Sequence, residues 1–105
     1  MSKPPKIMRD DLESKFQAKV KKWLVSKGCE VYILSPGAGI PDSTEDVLFL
    51  KEGFWGFLEC KKSKNAKKRP GQERTVARHN EMSYSRFTWP ENWPEVQKEL
   101  EEILK

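Results

Sequence analysis

The run from Asp46 to Lys61, Asp-Val-Leu-Phe-Leu-Lys-Glu-Gly-Phe-Trp-Gly-Phe-Leu-Glu-Cys-Lys, constrains the fold more than any other part of the chain. It reads as two apolar strands joined by a two-residue turn at Glu52-Gly53, where glycine supplies the positive φ such turns need. A two-residue loop sets the register by counting outward. Lys51 faces Phe54, Leu50 faces Trp55, Leu48 faces Phe57, and Asp46 faces Glu59. Val47, Phe49 and Leu58 mark one buried face; Leu48, Leu50, Trp55 and Phe57 mark the other. A hairpin buried on both sides belongs in the middle of a sheet. The same register presses two carboxylates together, with Cβ atoms about 4.5–5.5 Å apart. Lys61 projects from that face as well.

Opposed like charges destabilise a sheet, and charge in an apolar setting needs compensation. A divalent cation between Asp46 and Glu59 supplies it. Hard oxygen ligands around an open site suit magnesium or manganese, and an adjacent lysine can orient or activate a water. The plain alternative is a surface hairpin with scattered acids; the apolar residues around them argue against it. Asp42 competes with Asp46 as the metal ligand. In the extended register Asp42 lies opposite Ser63, four residues and roughly 13 Å from Asp46 at strand rise. A straight hairpin favours Asp46; a bulge or bend would bring in Asp42.

The 105 residues suffice for one compact domain. The net charge of +4 is mild, so where the charge sits matters more than its sum. Cys29 and Cys60 lie in apolar, strand-like runs and read as reduced core residues of an intracellular, cytoplasmic protein. No signal peptide or membrane-spanning run is expected from the sequence.

Met1 to Arg9, with Pro4-Pro5, is expected to be a flexible arm, and residues 10–105 the domain. A helix from Asp10 or Asp11 to Lys27 follows. Leu12, Phe16, Val20, Trp23 and Leu24 form its apolar stripe, with Glu13 at the edge. Its early acids and late lysines suit the helix dipole, and Gly28 caps its end. Cys29 to Leu34 reads as a strand and Ser35 to Glu45 as a loop.

Beyond the hairpin lies the densest positive run, Lys61 to Arg69, with Lys62, Lys64, Lys67, Lys68 and Arg69. Beside a metal site it reads as a surface for a phosphate backbone. Pro70-Gly71-Gln72 opens a second helix to about Glu81, which adds Arg74 and Arg78. Gln72 either reaches the site from the first turn or caps it. His79 reads as a surface residue. Met82 to Trp89 is the last strand. Trp89 and Trp93 are expected in core packing, with stacking on unpaired bases as the alternative. Pro94 opens a closing helix whose stripe is Val96, Leu100, Ile103 and Leu104.

The order helix, strand, hairpin, helix, strand, helix resembles the PD-(D/E)XK nuclease superfamily. The residues that carry the resemblance are Glu13, Asp46, Glu59-Cys60-Lys61 and Gln72, with the Gly39-Ile-Pro-Asp42 lead-in. It is most similar to the small stand-alone virus-type VRR-NUC nucleases, and its first helix to the phage Holliday-junction resolvases of the endonuclease I type. The resemblance spans about residues 10–90. It implies an α/β restriction-endonuclease-like core, a mixed four-stranded sheet flanked by helices. It also implies metal-dependent hydrolysis of DNA phosphodiester bonds, selective for branched or junction DNA. Asp46, Glu59 and the Cys60 backbone carbonyl would hold one or two magnesium or manganese ions, with Glu13 completing the shell directly or through water. Lys61 would position the attacking water. The family's Pro-Asp pair stands here at Pro41-Asp42, whereas the register favours Asp46. The related resolvases are dimers, which implies a homodimer; a phage origin would place it in the host cytoplasm. The rival reading is a non-catalytic DNA-binding protein on the same fold.

Overall fold

The computed structural model describes residues 6–37 and 39–105. Its elements run α1 (Lys6–Ser26), β1 (Glu30–Ile33), β2 (Val47–Lys51), β3 (Phe54–Cys60), α2 (Gln72–Met82), β4 (Tyr84–Thr88) and α3 (Trp93–Ile103). The chain is thus an α/β fold with a mixed four-stranded sheet in the order β1-β2-β3-β4. The first three strands pair antiparallel, and β4 lies parallel to β3.

The hairpin follows its turn. Gly53 has φ 76°, and the ladder pairs Lys51 with Phe54, Leu50 with Trp55 and Leu48 with Phe57, as the turn length requires. Gly56 is needed for space. A Cβ there would stand 2.5 Å from Cζ of Phe49, whose ring lies across the opposing glycine. Joining β3 to a parallel β4 demands a crossover. The basic loop and α2 provide it, so the lysine run is carried over one face of the sheet.

The main core lies on the other face. Phe16, Val20 and Leu24 of α1 meet Val47, Phe49, Leu58, Cys60 and Tyr84, with Trp93, Val96 and Leu100 of α3. Trp93 stands edge-on to Phe16 and Trp23. Because successive strand residues alternate sides, Phe57 projects oppositely to Leu58 and stacks on His79 of α2, 4.7 Å between centroids.

Several expectations change. The helix begins at Lys6, inside the expected arm; Lys6-Ile-Met-Arg9 contains no glycine or proline to interrupt it. Residues 1–5 of that arm lie outside the described residues. With the start moved back, neither end turn of α1 carries the charges expected to suit the dipole. Leu12, Leu50 and Ile103 are exposed rather than buried. For Leu50 the reason is cover: α2 packs on β3 and β4 and leaves the same face of β1 and β2 open, so the hairpin is central in the sheet but fully buried on one side only. Pro70 precedes the second helix, whose N-cap is Gly71.

Candidate active site

β2 ends its ladder at Val47–Leu58, one pair short of the expected Asp46–Glu59 pair. Asp46 sits in a bend just before the strand. The two acids still meet, through an exchange of side chain for backbone. The Asp46 N–H donates to Glu59 Oε1 at 2.9 Å, and the Cys60 N–H donates to Asp46 Oδ1 at 3.0 Å. Asp46 Oδ2 accepts from Gln17 Nε2 at 2.7 Å. The bend turns Asp46 towards α1, and Gln17 stands one helical turn after Glu13 on the same flank. Lys61 Nζ lies 3.3 Å from Glu59 Oε2 and donates to the Lys67 carbonyl at 3.1 Å. Glu59 is 2% and Lys61 6% exposed, so the pair is held away from bulk water.

The electrostatics follow from that seclusion. Burial, then the charge of Glu59 and more weakly that of Glu13, push the Asp46 carboxyl from the usual 3.8 to about 7. The hydrogen bonds from Cys60 and Gln17 oppose the rise without cancelling it. Burial and the same acids hold the Cys60 thiol well above its ordinary value, as a neutral core group. Its backbone is therefore what it offers the site.

Other expected site residues are distributed as follows. Asp42 is exposed, and its carbonyl accepts from Arg69 Nε at 2.8 Å; the acid joined to Glu59 is Asp46. Gln72 is fully buried and caps its own turn: Oε1 accepts the Arg69 N–H at 2.9 Å. Among the described residues its Nε2 has no partner. Arg69 also reaches the Thr44 carbonyl, so it straps the loop before β2. Lys64, Lys67, Arg74 and Arg78 are exposed, and Lys62 and Lys68 half-buried.

Two residues were missed. Gln17 is not singled out by the sequence reading, although its spacing from Glu13 signals a shared face. Glu45 is 1% exposed and takes His79 Nδ1 at 2.8 Å and the Ser85 hydroxyl at 2.6 Å. His79 is thus half-buried between Glu45 and Phe57, not the surface residue expected. Among the described residues, Glu45 Oε1 has no partner.

Two carboxylates beside a strand carbonyl are oxygen donors of the kind a hard cation takes, and burial, then the neighbouring carboxylate, makes Asp46 hold its proton in the absence of an ion. Among the described residues no three His, Cys, Asp or Glu side chains form a group able to hold a metal alone, so water or a substrate oxygen would complete any shell. No helix among the described residues is long and apolar enough to cross a membrane. Comparison with protein-family models, curated proteins and solved structures found no match.

Proposed function

We propose that the chain is a metal-dependent deoxyribonuclease that hydrolyses phosphodiester bonds. The observation that carries this reading is the buried Glu59, accepting the Asp46 backbone N–H with the half-buried Asp46 carboxylate on the next amide, and Lys61 Nζ 3.3 Å from Glu59. A protein that merely binds DNA has no use for such a costly arrangement.

Asp46, Glu59 and the Cys60 carbonyl would hold magnesium or manganese, with Glu13 completing the shell directly or through water. The bound ion would lower the pKa of a water and offset charge growing on the phosphate oxygens. Lys61 holds its ammonium group beside Glu59, aimed by the Lys67 carbonyl, where it can orient the attacking water and steady the phosphate. Gln17 keeps the Asp46 carboxylate turned inward. The exposed cations Lys64, Lys67, Arg74 and Arg78, with Lys62 and Lys68, contact the flanking backbone. Such contacts read phosphate rather than base, so the enzyme selects structure over sequence, with branched or junction DNA as its substrate. Binding falls steeply with salt. One site nicks one strand; paired cuts take a homodimer.

The absence of a third converging ligand among the described residues favours a second reading, a non-catalytic DNA-binding protein. Incubating the chain with branched, flap and linear DNA in magnesium or manganese separates the two. The nuclease reading expects cutting that vanishes with chelator and in Glu59→Gln. Binding without cutting supports the second reading, and cutting that survives in Glu59→Gln discards the site.

A further inference from the structure

The basic loop also walls a groove of about 580 Å³ against α2 and β4, within the size range of small-ligand sites. Phe87, Trp89 and Val76 give it an apolar lining, and Lys64 and Lys68 bring positive charge. Phe87 pairs with Glu59 in the parallel ladder. The groove therefore begins one strand away from the acid pair, on the face crossed by α2. Lys68 Nζ lies 4.9 Å from the Phe87 ring centroid, so the flat of that ring is presented to a cation at the groove. Arg86 borders it too, but its guanidinium is committed to Glu95 and Glu99. Past Lys68 a second cavity of about 520 Å³ continues beside Arg69 and Arg74.

Aromatic lining and lysines together match an anion that carries flat π faces. A duplex keeps its bases stacked on one another and shows such a groove only phosphate. An apolar peptide would fill the lining and leave the lysines without counter-charge. We propose that the groove takes an unpaired nucleotide, its base against Phe87 and Trp89 and its flanking phosphates on Lys64 and Lys68. Lys68 exchanges the ring for a phosphate when the base enters. Asn65, Glu73 and Asn80 line the groove with donors and acceptors for a base edge. As a statement about substrate, this rests on the nuclease reading and narrows it to DNA with a single-stranded segment beside the duplex.

The test is fluorescence anisotropy with chelator present, so that no cutting contributes. Three probes are compared: a blunt duplex, the same duplex with a short unpaired tail, and the same tail built of abasic sites. The base-bearing tail is expected to bind roughly 10-fold more tightly than either of the others, since stacking is worth about 1–3 kcal/mol per base. In Phe87→Leu and Trp89→Leu that advantage collapses while blunt-duplex affinity stays. Equal affinity for base-bearing and abasic tails in the unaltered chain overturns the proposal, because charge alone then suffices. Equal affinity for tailed and blunt duplex overturns it as well. Cleavage is read separately in manganese: tail preference without cutting discards the nuclease alone, and cutting without tail preference discards the groove alone.

Discussion

Glu45 and Asp46 are neighbours in the chain, both largely buried, and their surroundings differ in kind. Glu45 turns to α2 and β4, where a ring nitrogen and a hydroxyl meet one of its oxygens. Asp46 turns to α1, where it finds two amide donors and, close by, a second carboxylate. One acid is tied to the fold through Oε2, although its Oε1 has no partner among the described residues. The other is desolvated and left beside a like charge, and for both reasons, burial first, it holds a proton up to about pH 7. Where a fold neutralises an acid internally, the acid serves structure. Where it brings two together, with the one nearby cation, Lys61, set against Glu59 alone, the second acid is left to its proton or to an ion of the kind proposed above.

Four measurements press on that contrast. The largest effect is expected at Glu45. Glu45→Ala leaves His79 and Ser85 without their shared acceptor, and each buried partner left unsatisfied costs about 1–3 kcal/mol. The urea midpoint should fall sharply with an unchanged slope. A midpoint that stays put would mean that the Glu45 contacts do not hold α2 to the sheet.

Next comes the pH dependence of the metal-free chain. The Asp46 carboxyl binds its proton more tightly folded than unfolded. It therefore contributes stability below about pH 4, and that contribution is lost as pH rises through about 7. The rise from 3.8 to about 7 corresponds, at ~1.4 kcal/mol per tenfold change in proton affinity, to a loss of up to about 4 kcal/mol. Asp46→Asn should abolish the slope and leave the chain at least as stable at pH 8. Manganese should restore the unaltered chain at high pH. A flat profile would refute the strained acid pair.

Catalysis is expected to respond slightly less in energy. Asp46→Asn and Glu59→Gln should each cut more slowly by on the order of 10²–10³-fold, about 3–4 kcal/mol in barrier. Asp46→Asn should leave the fold intact, whereas Glu59→Gln also takes the counter-charge from buried Lys61, so its urea midpoint is read alongside its activity. Equal activity in the two variants and the parent would separate the acid pair from any chemistry.

The smallest effect belongs to Gln17. Gln17→Ala removes one hydrogen bond from Asp46, a loss of about 1 kcal/mol, and should move the pH transition upward while Glu45 is untouched. A transition that does not move would place the control of Asp46 elsewhere.

The hairpin was legible because its information is local: a two-residue turn, a period of two, and Gly53 where φ must be positive. From it came the union of Asp46, Glu59 and Lys61. The manner of that union was not legible, because a single bend before Val47 replaces the last ladder pair with side-chain bonds. Glu45 and His79 were invisible for another reason. They are 34 residues apart, and only the path of α2 over the sheet unites them. Leu50 misled because an apolar strand residue signals a face suited to burial, whereas cover depends on how far α2 extends.

The two halves of the sheet also assemble on different terms. The acids stand at the open end of a hairpin whose strands are linked by two residues, a closure that forfeits little chain freedom. The parallel partner β4 must wait for the whole lysine loop and α2 to collapse first. The repulsion between Asp46 and Glu59 is therefore expected to arise before Glu45 finds His79. If the acid pair takes a divalent ion as proposed, that ion would ease this early step as well.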